Sequence, residues 1–185
     1  QNFYAPLGLS TMTYTPLIKH PREVIAPTED DNYFRKNLIW GTVHDQAAAM
    51  MGGVGGHAGL FSNANDLAIL MQMNMNNGNY GGHKFYNTDV VTEFAKRQFS
   101  NSRRGLGWDK PAPDVNGPTS SLASPSTFGH TGFTGTGAWA DPENKLIYIF
   151  LSNRVYPDAA NTKLVKYNIR SRIHDVIYKA MVPKT

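Results

Sequence analysis

Apolar and polar positions change spacing several times along the chain, and each change marks an element. Residues 1–46 show little periodicity, and Pro16, Pro21 and Pro27 interrupt any helix, so this stretch reads as ordered loop. With the glycine-rich stretch that follows, it makes a loop-rich segment over 1–61, the wall of a cleft. At Ser62 a helical spacing begins. The Ser62 hydroxyl is placed to cap a helix with Ala64, Leu67, Ala68, Met71 and Met75 on one face, and Gly78 ends it. A shorter helix starts at Thr88 and buries Val91, Phe94 and Ala95, completing a helical lobe over 62–99.

The segment 100–126 is polar and rich in Pro and Ser, and reads as a surface crossing anchored only at GLGWD. From 127 the texture is β: STFGHTGF, TGTGAWA, a DPEN turn and the apolar run LIYIFLS. Apolar residues at successive positions from Leu146 to Leu151 predict a strand covered on both faces, inside a sheet flanked by helices. One cover is a last helix with Val165, Ile169, Ile173, Val176, Ile177 and Ala180 at helical spacing and Arg170, Arg172 and Lys179 on the wet face. The segment 127–185 is therefore sheet strands and a C-terminal helix, and the fold class is α/β (α+β), an antiparallel sheet flanked by helices plus part of a helical lobe.

Composition narrows the function. The 185 residues suffice for one domain or part of one, and no apolar run approaches the roughly 18–20 residues that span a bilayer. The formal charge of +4 is scattered without a basic block, which argues against nucleic acid. Cysteine is absent, so thiolate zinc sites and cysteine nucleophiles are excluded. The chain opens at Gln1 with neither an initiator Met nor a signal-peptide pattern, which puts the true N-terminus elsewhere.

GVGGHA formally fits a dinucleotide fingerprint, but the helix begins too late to receive a pyrophosphate, so its glycines read as a tight turn where backbone approaches backbone or ligand. His44, His57 and His83 lack metal-ligand spacing, and we assign no metal. His83 reads as an ordinary surface or core residue. His44 and His57 border the glycine-rich turn and are kept as cleft-lining candidates, against the plainer reading that hydrogen bonds satisfy them.

The stretch FGHTGFTGTGAWADPENKLIYIFLSNRVYP carries a resemblance. His130, Thr131 and Gly132 resemble the K/H-[TS]-G element of serine β-lactamases, penicillin-binding proteins and related esterases and D-aminopeptidases, and SNRVYP resembles the end of a later strand in the class C enzymes. PLGLSTMTYTP resembles the segment after that superfamily's second motif, and GGHAGLFSNANDLAILMQM resembles its "aGGL-ST-DLA" turn and helix. All three lie in family order, so the chain is identified as the C-terminal portion of one such domain, with HTG in place of KTG.

No serine here is followed three positions later by Lys, and the Tyr followed two later by Asp, Tyr156 in YPD, comes after the HTG element and so out of family order; the resemblance therefore places the SxxK nucleophile and the YxN or YSD motif upstream of Gln1. It implies an acyl-enzyme serine hydrolase needing no cofactor and acting on a cell-wall peptide, a β-lactam or a small ester in the periplasm or as a secreted protein. In it the backbone N–H of Phe133 completes the oxyanion hole, Thr131 and Gly132 meet the substrate, and His130 stands where penicillin-recognising members carry Lys. An imidazole anchors a carboxylate less strongly than an ammonium group but can relay a proton, which favours peptidase or esterase chemistry over β-lactamase activity. The competing reading of His130 is a strand histidine capping a turn, and the rival function is a binding module that kept the fold. This chain's expected partners are its substrate, the upstream part of the same domain and, through the bare edge of strand 146–152, other copies of itself.

Overall fold

The computed structural model describes residues 2–112 and 117–181, so Gln1, positions 113–116 of the 100–126 segment and the last four residues lie outside it. In chain order the elements are β1 (Pro27–Asp31), β2 (Asn37–Trp40), α1 (Gln46–Met50), α2 (Ala64–Met75), β3 (Asn79–Tyr80), β4 (His83–Lys84) and α3 (Thr88–Ala95). There follow β5 (Phe128–Thr131), β6 (Gly137–Asp141), β7 (Leu146–Phe150), α4 (Lys163–Lys166) and α5 (Ile169–Ala180). The expected mixed architecture of antiparallel sheets and helices is present.

The organising sheet is antiparallel in the order β5-β6-β7. Helix α2 packs across β6 and β7 on one face, where Met71, Phe128 and Ala140 form a buried cluster with Ile147 and Ile149 against it. On the other face Tyr148 stacks on His174 of α5 at 4.2 Å and donates its hydroxyl hydrogen bond to the Arg170 carbonyl. The consecutive apolar run of β7 is thus explained, since alternate residues meet a helix on each side.

A second apolar cluster ties the N-terminal segment to α2. Leu7, Leu9 and Met12 bury themselves with Met73, and Thr11 donates from both its backbone N–H and its hydroxyl to Asp66 in the first turn of α2, at 2.8 and 2.7 Å. Leu7, Leu9 and Met12 in PLGLSTM and Asp66 in NDLA therefore form one packed unit, and a buried carboxylate near a helix N-terminus is doubly favoured there.

Several local expectations are corrected. The cap of α2 is Asn63 and not Ser62, because Asn63 is the residue in extended conformation whose side-chain Oδ1 accepts from Asp66 N–H at 2.8 Å. Residues 27–40, expected as loop, pair as the β1–β2 hairpin, whose turn is knotted by the Asp31 carboxylate accepting from the N–H groups of Tyr33, Phe34 and Arg35. Of the α3 positions Val91 is buried but Phe94 is 46% exposed, since an eight-residue helix turns only one position fully inward.

The 100–126 segment is less superficial than its composition suggests. Asp109, Lys110, Thr119, Ser120 and Ser124 are buried, with Ser124 bonded to the Asp141 carboxylate and Ser120 N–H to His174 Nδ1. The C-terminal helix is broken at Asn168, which takes a left-handed conformation, so Val165 belongs to α4. In α5 the buried positions are Ser171 and His174, while Ile173 and Val176 are exposed. Hydrogen bonds to the 117–124 strip decide which face turns inward: Ser171 bonds to the Gly117 carbonyl and Asp175 accepts from Ser120.

Candidate active-site edge

Strand β5 has β6 on one side only. On its outer side Gly129 exchanges two backbone hydrogen bonds with Asp109, at 2.7 and 3.1 Å, and that isolated bridge is the single pairing there among the described residues. A side chain at position 129 would drive a Cβ to 2.1 Å from the Ala138 carbonyl, so only glycine lets the three backbones lie this close. Backbone groups alternate sides along a strand. Gly129 turns outward, Gly132 turns its N–H inward to the Thr136 carbonyl, and Phe133 opens the turn that follows β5; no partner for the Phe133 N–H is found among the described residues.

The peptide that carries this N–H is held from behind. Arg170 of α5 donates through Nη1 to the Gly132 carbonyl at 3.2 Å and to the Thr136 carbonyl at 2.8 Å. Arg154 donates through Nε to the Phe133 carbonyl at 2.8 Å, with its guanidinium 4.3 Å above the Phe133 ring. Two buttressing cations thus fix the geometry of the Gly132–Phe133 unit, an arrangement suited to presenting a backbone donor at a fixed point.

His130 is exposed at the same edge. Arg104 Nη1 lies 2.7 Å from its Nε2, and its Nδ1 lies 2.7 Å from the Thr131 carbonyl oxygen. A guanidinium can only donate, so Nε2 accepts and Nδ1 carries the proton that goes to Thr131. Arg104 in turn lies 3.3 Å from Asp109, which Arg103 engages at 2.7 Å.

His44 reaches this edge by a longer route. The Asn153 side chain bonds to the Pro27 carbonyl and Asp30 N–H to the Pro157 carbonyl, which docks the β1–β2 hairpin beside the end of β7. Just past that hairpin the His44 ring packs on Phe133, centroids 5.2 Å apart. Its Nε2 is 3.3 Å from Glu29 Oε2, close enough for attraction but out of line for a hydrogen bond, and it has no hydrogen-bond partner among the described residues.

His57 sits apart from β5 in its bonding: its Nε2 lies 3.0 Å from Asp45, the N-cap of α1. The Ala48 N–H and then His57 hold the Asp45 carboxyl below the ordinary carboxylate range. The structure therefore gathers His130, Thr131, Gly132, Phe133 and His44 at one edge and ties His57 to the helix next to His44. Arg104, Arg154 and Glu29 join that edge without having been singled out in the sequence, and Arg170, expected on the wet face of the last helix, turns instead to the Gly132 and Thr136 carbonyls. The one signal for Arg104 was its position just before the anchored GLGWD; the others arrive from distant segments.

Fold and edge together define a mixed α/β protein of the β-lactamase and penicillin-binding-protein class. The chain belongs to the beta-lactamase family, whose model matches residues 1–168. It is 40% identical over 174 residues to a Salmonella gallinarum protein named as a D-alanyl-D-alanine carboxypeptidase, a match covering 87% of this chain and 40% of that relative. A Salmonella typhi protein of the same name matches at 40% identity over 179 residues, again over 40% of its length. The chain thus spans well under half of these curated relatives.

Solved structures share the fold. A Mycobacterium bovis beta-lactamase superposes with TM-score 0.59 at 19% identity, over 96% of this chain and 53% of that one. Simvastatin synthase from Aspergillus terreus gives 0.60 at 15% identity, over 97% and 49%. A Caulobacter crescentus penicillin-binding-protein homologue gives 0.54 at 18% identity, over 83% and 45%.

Proposed function

We propose that the whole protein is a serine hydrolase that works through an acyl-enzyme on a D-alanyl-D-alanine-type peptide, with this chain supplying the strand edge that holds the reacting carbonyl. The observation that carries the reading is the Phe133 N–H at the end of β5, without a partner among the described residues, buttressed by Arg170 and Arg154 and close in the chain to His130 and Thr131. A carbonyl oxygen placed against that N–H gains a donor as it becomes an oxyanion, a contribution of about 3–4 kcal/mol where single donors have been removed. The nucleophile and its base come from the part of the protein upstream of this chain, and Thr131 meets the substrate beside the carbonyl. The curated relatives' name supports the peptide as substrate class. A cell-wall peptide also places the protein outside the cytoplasm.

The test uses the full-length protein and the 185-residue chain side by side. The full-length protein is expected to release D-alanine from a diacyl-lysyl-D-alanyl-D-alanine peptide and to be labelled by a fluorescent penicillin or phosphonate. The chain alone is expected to do neither. Labelling of any serine within the 185 residues, located by peptide mapping, would overturn the assignment of the nucleophile.

A further inference from the structure

We propose that the pocket between α2, α3 and the start of β5 is a binding site for a small monocarboxylate with an apolar body, held by the Lys110 ammonium group. The pocket has a volume of about 300 Å³, at the lower end of those that take small organic ligands. It includes Phe128 of β5 and none of residues 130–133, and the proposal does not rest on the functional reading above.

The first observation is a buried charge without a counter-charge. Lys110 lines the pocket and is 7% exposed. Among the described residues its Nζ has one acceptor, the Ser126 carbonyl at 3.1 Å, and no ion-pair partner. An ammonium group has three donors, so two are left for a ligand. Burial, and then the neighbouring Arg97, pushes this ammonium below the ordinary lysine range, against the opposing pull of Asp141. Asp141 does not serve as counter-ion, because its carboxylate is taken up by Ser124, Asn144 and Tyr178. A buried cation is unfavourable until an anion meets it, and a carboxylate that reaches Nζ removes that penalty.

The second observation is that the polar neighbours are committed. Lys96, the other cation in the lining, lies 2.5 Å from Glu93. The Asn74 amide donates to the Leu70 carbonyl at 2.8 Å and accepts from the Tyr86 hydroxyl, and the Thr92 hydroxyl donates to the Thr88 carbonyl at 3.0 Å. Lys110 is therefore the lining cation left to orient an anion.

The walls decide what kind of anion. Met75, Val91, Ala95 and Phe128 line the pocket, and Val91 and Phe128 are buried. Such walls favour an apolar body over a sugar or an inorganic ion, and one ammonium group matches one carboxylate.

The experiment uses the full-length protein, with benzoate as the probe and benzamide as its neutral counterpart. Lysines are trace-labelled with acetic anhydride and read by peptide mapping. Benzoate at several times its dissociation constant is expected to slow acetylation of Lys110 at least about fivefold, with exposed lysines such as Lys84 and Lys145 unchanged, and benzamide to protect none of them. Equal slowing by both compounds, slowing of every lysine alike, or no slowing at Lys110 would overturn the proposal. The last result covers the case in which the upstream part of the protein fills the pocket. A second measurement follows the Met75 methyl group by NMR. Benzoate is expected to shift it, with a titration midpoint at least about tenfold higher in Lys110→Gln, which removes the charge. An unmoved midpoint overturns the assignment of Lys110. Neither readout needs turnover, so a protein that hydrolyses no peptide leaves this site standing, and an active one does not rescue it.

Discussion

Arg170 shows how one side chain can govern a backbone atom it does not touch. The Gly132 carbonyl it binds and the Phe133 N–H belong to the same peptide, and the planarity of that unit means that turning one end turns the other. Arg170 is therefore a positioning residue, and its loss should misdirect the donor without removing it. On the proposed function, Arg170→Met in the full-length protein is expected to lower kcat by about tenfold or more with KM little changed, since an oxyanion donor acts mainly in the transition state. Arg170→Lys should recover part of the rate by reaching one of the two carbonyls. A parallel rise in KM, or a loss matched by the fall in thermal stability, would show that Arg170 only holds the sheet together. His130 belongs to the same scale. Its role as a bracket between Arg104 and Thr131 could not be read from HTG, because the partner that fixes its tautomer lies 26 residues away.

Among the elements, β7 carries the sharpest expectation. No strand pairs with its outer edge among the described residues, and Leu146–Phe150 contains neither Pro nor charge to blunt it. On α5, Ile173 and Val176 present apolar surface to solvent, Val176 at 64% exposure. The 185-residue chain by itself is expected to self-associate through this edge, and to become monomeric when the upstream part of the protein is supplied in trans or in cis. Sedimentation across a wide concentration range is the check; a well-folded monomer of the chain alone, with slow amide exchange along 146–150, would show that the edge is already covered.

At the scale of the molecule, the packing of sheet against α5 imposes a pH dependence. Burial pushes the His174 imidazole down to about 4, against the opposing pull of Asp175 and Asp141, while the ring stacks on Tyr148, lies against the tilted ring of Tyr178 and accepts the Ser120 N–H. The unfolded chain protonates this residue near pH 6.5. Between the two values the unfolded state binds more protons than the folded one, so stability rises with pH across that window and falls as pH drops from about 6.5 to about 4. The full loss is about 3 kcal/mol. Urea denaturation of the full-length protein at a series of pH values should show this slope, and His174→Asn, which keeps an acceptor but does not titrate, should flatten it. Asp141 acts lower on the scale: burial alone would raise its carboxyl, but hydrogen bonds from Ser124, Tyr178 and Asn144 outweigh that and hold it well below the ordinary range.

What the sequence determined alone is whatever depends on neighbours close in the chain. The spacing around Met71 announces α2, the apolar run of Leu146–Phe150 a strand covered on both sides, and the DPEN turn joins β6 to β7. HTG beside TGTGAWA marks the strand edge, because residue types on one hairpin are fixed relative to each other by its register. Tertiary structure decided the remainder. That Ser171 and His174 face inward in α5 while Val176 does not follows from hydrogen bonds to residues 117–120, more than fifty positions away. That His44 meets Phe133, that Arg104 engages His130 and that Arg170 grips Gly132 are contacts across separations no local pattern encodes. Periodicity reports which side of an element is apolar; only packing decides what lies against it.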